Sequence, residues 1–317
     1  MYKQLTREQR YVIYVEKYHH ATNKSIAEKI GVSESTISRE LKRNAGRNGG
    51  YLWLKAHEKA LSRRSHTVRN HTIDDWTRWR VKDILLSEDW SPQQISGFLK
   101  KEGMYISHET IYKMIRDDKT GQLAFHCRHK MKYRKRKSKN RLTKATNIKG
   151  RVSIHERPIE ADGTRFGDWE MDTIIGKDGN GAILTLTERS TNMLLMEKLK
   201  EGKRPKSLAR VVWKLLLPYM GNGVKTITTD NGSEFAEHQF ITERLKAQVY
   251  FADSYCSWQK GAIENANKLI RQYIPKGTDF NDISDMFIKK IQHKINARPR
   301  RKLNFNTPLK EFYKHFY

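Results

Sequence analysis

Three separated acidic segments carry the side chains best suited to chemistry. In VKTITTDNGSEF, residues 224–235, β-branched and polar residues alternate toward Asp230, and Asn231-Gly232 then breaks the pattern. A strand ending in a tight turn reads this way, so Asp230 is expected at the strand's open end. FGDWEMDTIIGK, residues 166–177, is a second strand-like run in which Asp168, Glu170 and Asp172 alternate and share one face. GAIENANKLIRQYIPKG, residues 261–277, reads as a helix with Glu264, Lys268 and Arg271 along one side. A strand carboxylate, a strand-end carboxylate and a helix carboxylate brought together repel strongly unless cations lie between them. Hard oxygen ligands suit Mg2+ or Mn2+ rather than zinc. Two such ions can activate water or a 3′-hydroxyl and stabilise the leaving oxygen of a phosphodiester. In so basic a chain, the plain alternative for each acid is a neighbouring Lys or Arg.

Face-sharing alone does not choose among Asp168, Glu170 and Asp172, although Asp172 lies deepest in the apolar run, beside Thr173-Ile174-Ile175. Asp253, at the end of QVYFAD, is a further acidic candidate. Glu234 is expected to stabilise the turn or helix start after Asp230, where the backbone carries partial positive charge. Lys268 and Arg271 could pair with Glu264 on the helix surface, but such exposed pairs contribute only about 0.3–0.5 kcal/mol. Phosphate contact near a scissile bond is the stronger account of that basic row. Trp258 and Gln259, just before the helix, are placed to touch bases, with a buried tryptophan as the alternative.

Asp172, Asp230 and Glu264, with 33 residues between the last two, resemble the DDE triad of transposases and retroviral integrases. WEMDTIIG, TTDNGSEF and ENANKLIRQYIPKGTDF resemble, in order and in spacing, the insertion sequence thirty family of bacterial transposases over residues 160–310. That resemblance implies an RNase H-like core, with Asp172, Asp230 and Glu264 as both catalytic residues and metal ligands. It implies a basic residue seven positions after the glutamate, here Arg271, and an N-terminal helix-turn-helix region that binds terminal inverted repeats. The expected reaction is metal-dependent DNA strand cleavage followed by 3′-hydroxyl strand transfer, through a circular intermediate. Expected partners are double-stranded DNA, as terminal repeats and as target, and further copies of the chain assembled on it. A DNA-binding regulator with an inactive core and a nuclease without strand transfer are the rival readings.

The elements that must position these residues divide the 317-residue chain into several parts. The expected fold is multidomain: an N-terminal all-α helix-turn-helix region, then an α/β RNase H-like core with a five-stranded mixed sheet. The boundaries are 1–50 for the first helix-turn-helix, 51–75 for a helical connection and 76–120 for a second helix-turn-helix. A basic linker over 121–160, the catalytic core over 161–300 and a basic tail over 301–317 complete it. Thr6 and Gln9 form a capping-box pattern opening a helix to Tyr18; Ile26, Ala27 and Ile30 mark a second helix, Gly31 the turn, and Ser33 the cap of a third. Ile37 and Leu41 would then face the core, leaving Ser35, Thr36, Arg39 and Arg43 toward a DNA major groove. Ser91-Pro92-Gln93-Gln94, Gly103 and Ser107 repeat the grammar. SESTISR and SHETIYK share a local word, and Lys113 and Arg116 would be DNA contacts of the second unit. In the core, three antiparallel strands precede two reached through helices near 206–219 and 237–246. The tail's Arg298, Arg300 and Arg301 either pack against the core or touch DNA backbone.

Charge follows the same division. Net charge is +27; residues 1–150 carry 34 Lys and Arg against 15 Asp and Glu, and residues 151–317 carry 28 against 20. The front half is therefore the part expected to hold a polyanion. A ribosomal or membrane-surface protein can be as basic, but neither needs three spaced carboxylates. Cys127 and Cys256 are too few for a disulfide framework, and His126-Cys127-Arg128-His129 reads as a basic loop rather than a metal site. MYKQLTREQR lacks a signal-peptide core and no apolar run nears the roughly 18 residues of a membrane span. A cytoplasmic, nucleoid-associated bacterial protein without a membrane partner is expected. Residues 128–144 hold ten Lys or Arg and no acid, a run that extends until a polyanion neutralises it. Each of these charges that meets a phosphate should steepen the log–log salt dependence of DNA affinity by roughly 0.9. Neutralising four of them should flatten a salt titration of DNA binding accordingly.

Overall fold

The computed structural model describes residues 4–46, 49–66, 73–128, 130–131, 148–254 and 256–317. Most of the 128–144 basic run, including His129, lies outside these residues. Two compact units result, Met1–Ile73 and Asp74–Tyr317.

In the first unit, α1 (Arg7–Tyr18) opens with the expected reciprocal cap: Thr6 N donates to Gln9 Oε1 at 2.9 Å and Gln9 N to Thr6 Oγ1 at 3.2 Å. α2 (Asn23–Ile30) ends at Gly31, whose φ of +67° is left-handed backbone that a side chain would strain. α3 (Glu34–Asn44) follows, then α4 (Trp53–His66). Ser33 occupies the cap position of α3, but its hydroxyl meets those of Ser35 at 3.0 Å and Thr36 at 2.9 Å, not a backbone amide as expected. Leu5, Ile13, Ile26, Ala27 and Ile37 form the core, with Leu41 packed against it. A buried polar knot crosses this core. Arg10 Nε donates to Glu40 Oε1 at 2.8 Å, and the same oxygen accepts from Asn44 Nδ2 at 2.7 Å and the Tyr51 hydroxyl at 3.1 Å. Burial, then the adjacent Glu40 charge, pushes the Tyr51 phenol up.

The second unit begins with four helices: α5 (Asp75–Glu88), α6 (Pro92–Lys101), α7 (His108–Asp117) and α8 (Gln122–His126). Ser91 and Gln94 form the expected capping box, and Ser107 Oγ accepts from Thr110 N at 3.1 Å. Ile95, Leu99, Ile111 and Ile115 are buried, so the shared local word does mark matching core positions in α3 and α7.

A mixed sheet follows, built from β1 (Val152–Ser153), β2 (Asp168–Ile175), β3 (Ala182–Glu188) and β4 (Leu194–Leu199). After α9 (Pro205–Leu216) come β5 (Thr226–Thr229), α10 (His238–Leu245) and β6 (Gln248–Phe251). The chain closes with α11 (Gly261–Tyr273), α12 (Asp285–Asn296) and α13 (Pro308–Tyr313). Strand order is β1-β6-β5-β2-β3-β4, with β2-β3-β4 an antiparallel meander and β5, β6 and β1 added in parallel. The sheet thus has six strands, not five. β1 is two residues long, too short to show alternation, and exists only by its ladder to Tyr250 and Phe251.

Trp169, Met171 and Ile227 bury one sheet face under α9, α10 and α13, through Leu208, Val212, Ile241 and Phe312. Ile174, Ile183 and Met196 bury the other under α11 and α12, through Ile270, Ile291 and Ile295. Strand alternation therefore aims Asp168, Glu170 and Asp172 at the α11 side.

The α5–α8 group is joined to this core by specific polar ties. Asp89 accepts from His126 Nδ1 at 2.6 Å, Lys294 Nζ at 3.1 Å and the Tyr273 hydroxyl at 3.2 Å. Burial works to raise Asp89, but the His126 and Lys294 bonds outweigh it and hold the carboxyl below its usual range. At Gly97 of α6, an added Cβ would lie 2.1 Å from the Phe305 ring, so only glycine permits that contact. No helix among the described residues is long and apolar enough to cross a membrane. Removing the Glu40 carboxylate leaves Arg10, which is 5% exposed, buried without its partner. Glu40→Ala should therefore cost the first unit about 3–5 kcal/mol, read as a lowered denaturation midpoint of that unit.

Candidate active site

The parallel ladder pairs Asp168 with Thr226 and Glu170 with Thr228. Carried one alternation further, it sets Asp172, in the middle of β2, beside Asp230, which directly follows the end of β5. The two earlier acids on that face are already engaged. Asp168 takes a two-pronged ion pair from Arg165, at 2.7 and 3.0 Å, and a bond from Thr226 Oγ1 at 2.7 Å. Glu170 accepts from Arg189 Nε at 3.0 Å and from Ile263 N, in the first turn of α11, at 2.8 Å. Burial nonetheless lifts the Glu170 carboxyl above its usual range, with those donors offsetting only part of it. Glu170 therefore anchors the start of the helix that carries Glu264, and the partial positive charge there favours a carboxylate.

Asp172 accepts from Thr173 N at 2.9 Å and from Asn267 Nδ2 at 2.8 Å. Asp230 Oδ1 accepts from Gly232 N at 3.0 Å. Between the two acids lies Lys260: its Nζ is 3.2 Å from Asp230 Oδ2 and 4.0 Å from Asp172 Oδ1. Burial, with further contributions from Asp230 and Glu234, raises the Asp172 carboxyl against the opposing effect of Lys260. Hard oxygen donors gathered around a shared cation fit a divalent ion of the magnesium type.

Glu264 lies on α11 one turn after Lys260 and one turn before Lys268, whose Nζ is 3.9 Å from Glu264 Oε2. Among the described residues no three His, Cys, Asp or Glu side chains stand close enough to hold an ion together. The structure brings Asp172 and Asp230 together and leaves Glu264 on the adjoining helix face.

The remaining candidates fall in various places. Arg271 donates to Pro275 O and Ile175 O, each at 3.2 Å, tying the end of β2 to the end of α11, and burial lowers its guanidinium. Lys268 is more than half exposed. Ser35, Arg39 and Arg43 are exposed on α3 and Thr36 half-buried; Thr36, Arg39 and Arg43 line a cleft of about 1020 Å³ with Arg63 and Arg64 of α4. Lys113 and Arg116 are exposed on α7. Asp253 is bound by His155 and Gln259, both at 2.8 Å. Glu234 bonds Lys203 Nζ and Thr173 Oγ1, both at 2.8 Å, so it ties the turn after β5 back to β2. Trp258 is 74% exposed, which excludes the buried alternative. Arg298 is 2% exposed and bonds Gln272 and Tyr273, so it packs inside rather than facing DNA.

Sequence reasoning passed over Lys260, Asn267 and Arg189. For the first two a signal existed: they stand at i−4 and i+3 from Glu264 and so share its side of α11.

A family profile described as a helix-turn-helix domain matches residues 1–44. The chain is 44% identical to the transposase for insertion sequence element IS4351 of Bacteroides fragilis, covering 98% of this chain and 96% of that one. It is 33% identical to transposase InsI for insertion sequence element IS30A of Escherichia coli strain K12, over 90% of this chain and 77% of that one. Among solved structures, the catalytic core domain of BIV integrase superposes on 47% of this chain and 95% of that one, with TM-score 0.37 and 16% identity.

Glu170 is 1% exposed and its Arg189 partner is part-buried. Glu170→Ala should accordingly cost the core about 3–5 kcal/mol, measured by urea denaturation, and Glu170→Gln less, since the amide oxygen still accepts from Ile263 N.

Proposed function

Because the chain belongs to the insertion sequence transposases related to those of IS4351 and IS30A, we propose that it cuts DNA at the ends of a mobile element and joins the freed 3′ ends to target DNA. The observation that carries the reading is the meeting of Asp172 on β2 and Asp230 just past β5 around a shared cation. Asp172, Asp230 and Glu264 are the proposed catalytic residues and ligands, and Mg2+ or Mn2+, as two ions, the proposed cofactor. Ions held there would lower the proton affinity of water or of a 3′-hydroxyl and stabilise the oxygen that departs from phosphorus.

The chain's own residues supply placement. Thr173 N and Asn267 fix the two oxygens of Asp172, Gly232 N fixes one oxygen of Asp230, and Glu170 fixes the start of α11. Glu264 would join the pair from α11, and its present contact with Lys268, at 3.9 Å and exposed, does little to hold it elsewhere. In cleavage, water forms a bond to phosphorus while the P–O3′ bond breaks, leaving a 3′-hydroxyl on the element's end. In joining, that hydroxyl forms the new phosphodiester and the target strand's 3′-oxygen leaves. Both steps are direct displacements, so no covalent enzyme intermediate is needed.

DNA recognition is assigned to Ser35, Thr36, Arg39 and Arg43 on α3, and to Lys113 and Arg116 on α7. The short polar and cationic residues there suit base edges and phosphates. Lys268 is assigned to phosphate near the cut, and Arg271 to the same surface while it holds the carbonyls behind it. The active assembly is proposed to be a homo-oligomer that pairs two element ends.

Substituting Asp172, Asp230 or Glu264 by Ala should lower metal-dependent nicking and joining of terminal-repeat DNA on the order of 10³-fold or more, as when one member of a cooperating catalytic set is lost. Gel-shift affinity for the same DNA should stay near wild type. Joining retained by Asp230→Ala would refute the assignment. Wild-type binding without nicks would identify a regulator, and nicks without joined products a nuclease.

A further inference from the structure

The Lys260 side chain is 8% exposed, and its ammonium is hydrogen-bonded to Asp230 at 3.2 Å and 4.0 Å from Asp172. A buried ammonium is costly unless paired, and two adjacent carboxylates are costly unless a cation separates them. Each therefore meets the other's requirement. We propose that Lys260 is a positioning residue whose ammonium holds Asp172 and Asp230 together before a divalent ion enters, and that the ion displaces it. The proposal rests on reading these carboxylates as ion ligands.

The residue type and its setting support this. A lysine is a compact charge on a flexible stem, whereas an arginine would grip carboxylates through a rigid planar fork. Lys260 can thus withdraw by side-chain rotation alone. Its backbone does not need to move: it lies where the 3-10 turn Ser257–Lys260 meets α11. The preceding residue is braced, with Asp253 N donating to Gln259 Oε1 and Gln259 Nε2 to Asp253 Oδ2, both at 2.8 Å. Asn267 keeps its bond to Asp172 Oδ2 while Lys260 faces Oδ1, so one oxygen of each acid faces the ammonium. A divalent ion seated between those oxygens would take the place of the ammonium and be repelled by it if it stayed. The two cations compete, and the protein folds with its acids already gathered instead of splayed by repulsion.

The test is Mn2+ binding to the full chain without DNA, followed by the paramagnetic resonance signal of free Mn2+. Lys260→Met should bind Mn2+ about tenfold more tightly than wild type or better, a change of about 1.4 kcal/mol. Lys260→Arg, which keeps the charge and grips carboxylates through its fork, should bind Mn2+ no more tightly than wild type. The melting temperature of Lys260→Met in chelator should fall below wild type, and saturating Mn2+ should close the gap. Should the Met variant not fold, Lys260→Gln replaces it. Unchanged or weaker Mn2+ affinity in the uncharged variant, while Asp230→Asn abolishes binding, would overturn the role of Lys260 and leave the carboxylate site standing. Mn2+ binding untouched by Asp230→Asn would instead overturn the ligand reading, and this proposal with it.

Discussion

Like charge must be gathered and then neutralised: that constraint governs the second unit. β2 carries three carboxylates on one face and β5 ends in a fourth, so repulsion would push these strand ends apart. Each acid is answered by its own cation: Arg165 for Asp168, Arg189 for Glu170, Lys203 for Glu234, and Lys260 shared by Asp172 and Asp230. The first three pairs are fixed parts of the framework. Of the four, the last holds two acids with one monovalent charge. An acid face that is satisfied everywhere except at its open end is a place where added positive charge is welcome.

The same logic explains the position of the helix that completes the site. α11 is held at its start by Glu170 through Ile263 N, and at its end by Arg271 through carbonyls of β2 and the following turn. Both anchors touch β2, the strand that carries Asp172. Helix and strand are therefore registered against each other at two points, which fixes the side of the helix that Lys260, Glu264 and Asn267 share.

Much of this could be read from residue order. Alternation in 166–177 and 224–230 gave both strands and the carboxylate face, and the Thr6/Gln9 and Ser91/Gln94 patterns gave two helix starts with their bonds. Other features could not be, for identifiable reasons. β1 has two residues, and its existence is a property of β6 rather than of its own pattern. Ser33 and Ser107 sit in the same local word and both hydroxyls meet that of the threonine three residues on, yet Ser107 also accepts from that threonine's backbone amide while Ser33 turns to Ser35, a choice the word does not encode. Asp168 is engaged by Arg165, three residues before it, but Glu170 is engaged by Arg189, just past the end of β3. That second partner was distant in sequence, so the face was legible and its full occupancy was not.

Asp89 ends α5, yet two of its three partners, Tyr273 and Lys294, belong to α11 and α12. Gln272 adds a bond to the carbonyl of His126, and Gly97 admits Phe305 from beyond α12. The α5–α8 group is thus fastened to the far end of the very helix that bears Glu264. If α7 reads a sequence as proposed, these ties would set its distance from the reacting bond, as along a ruler.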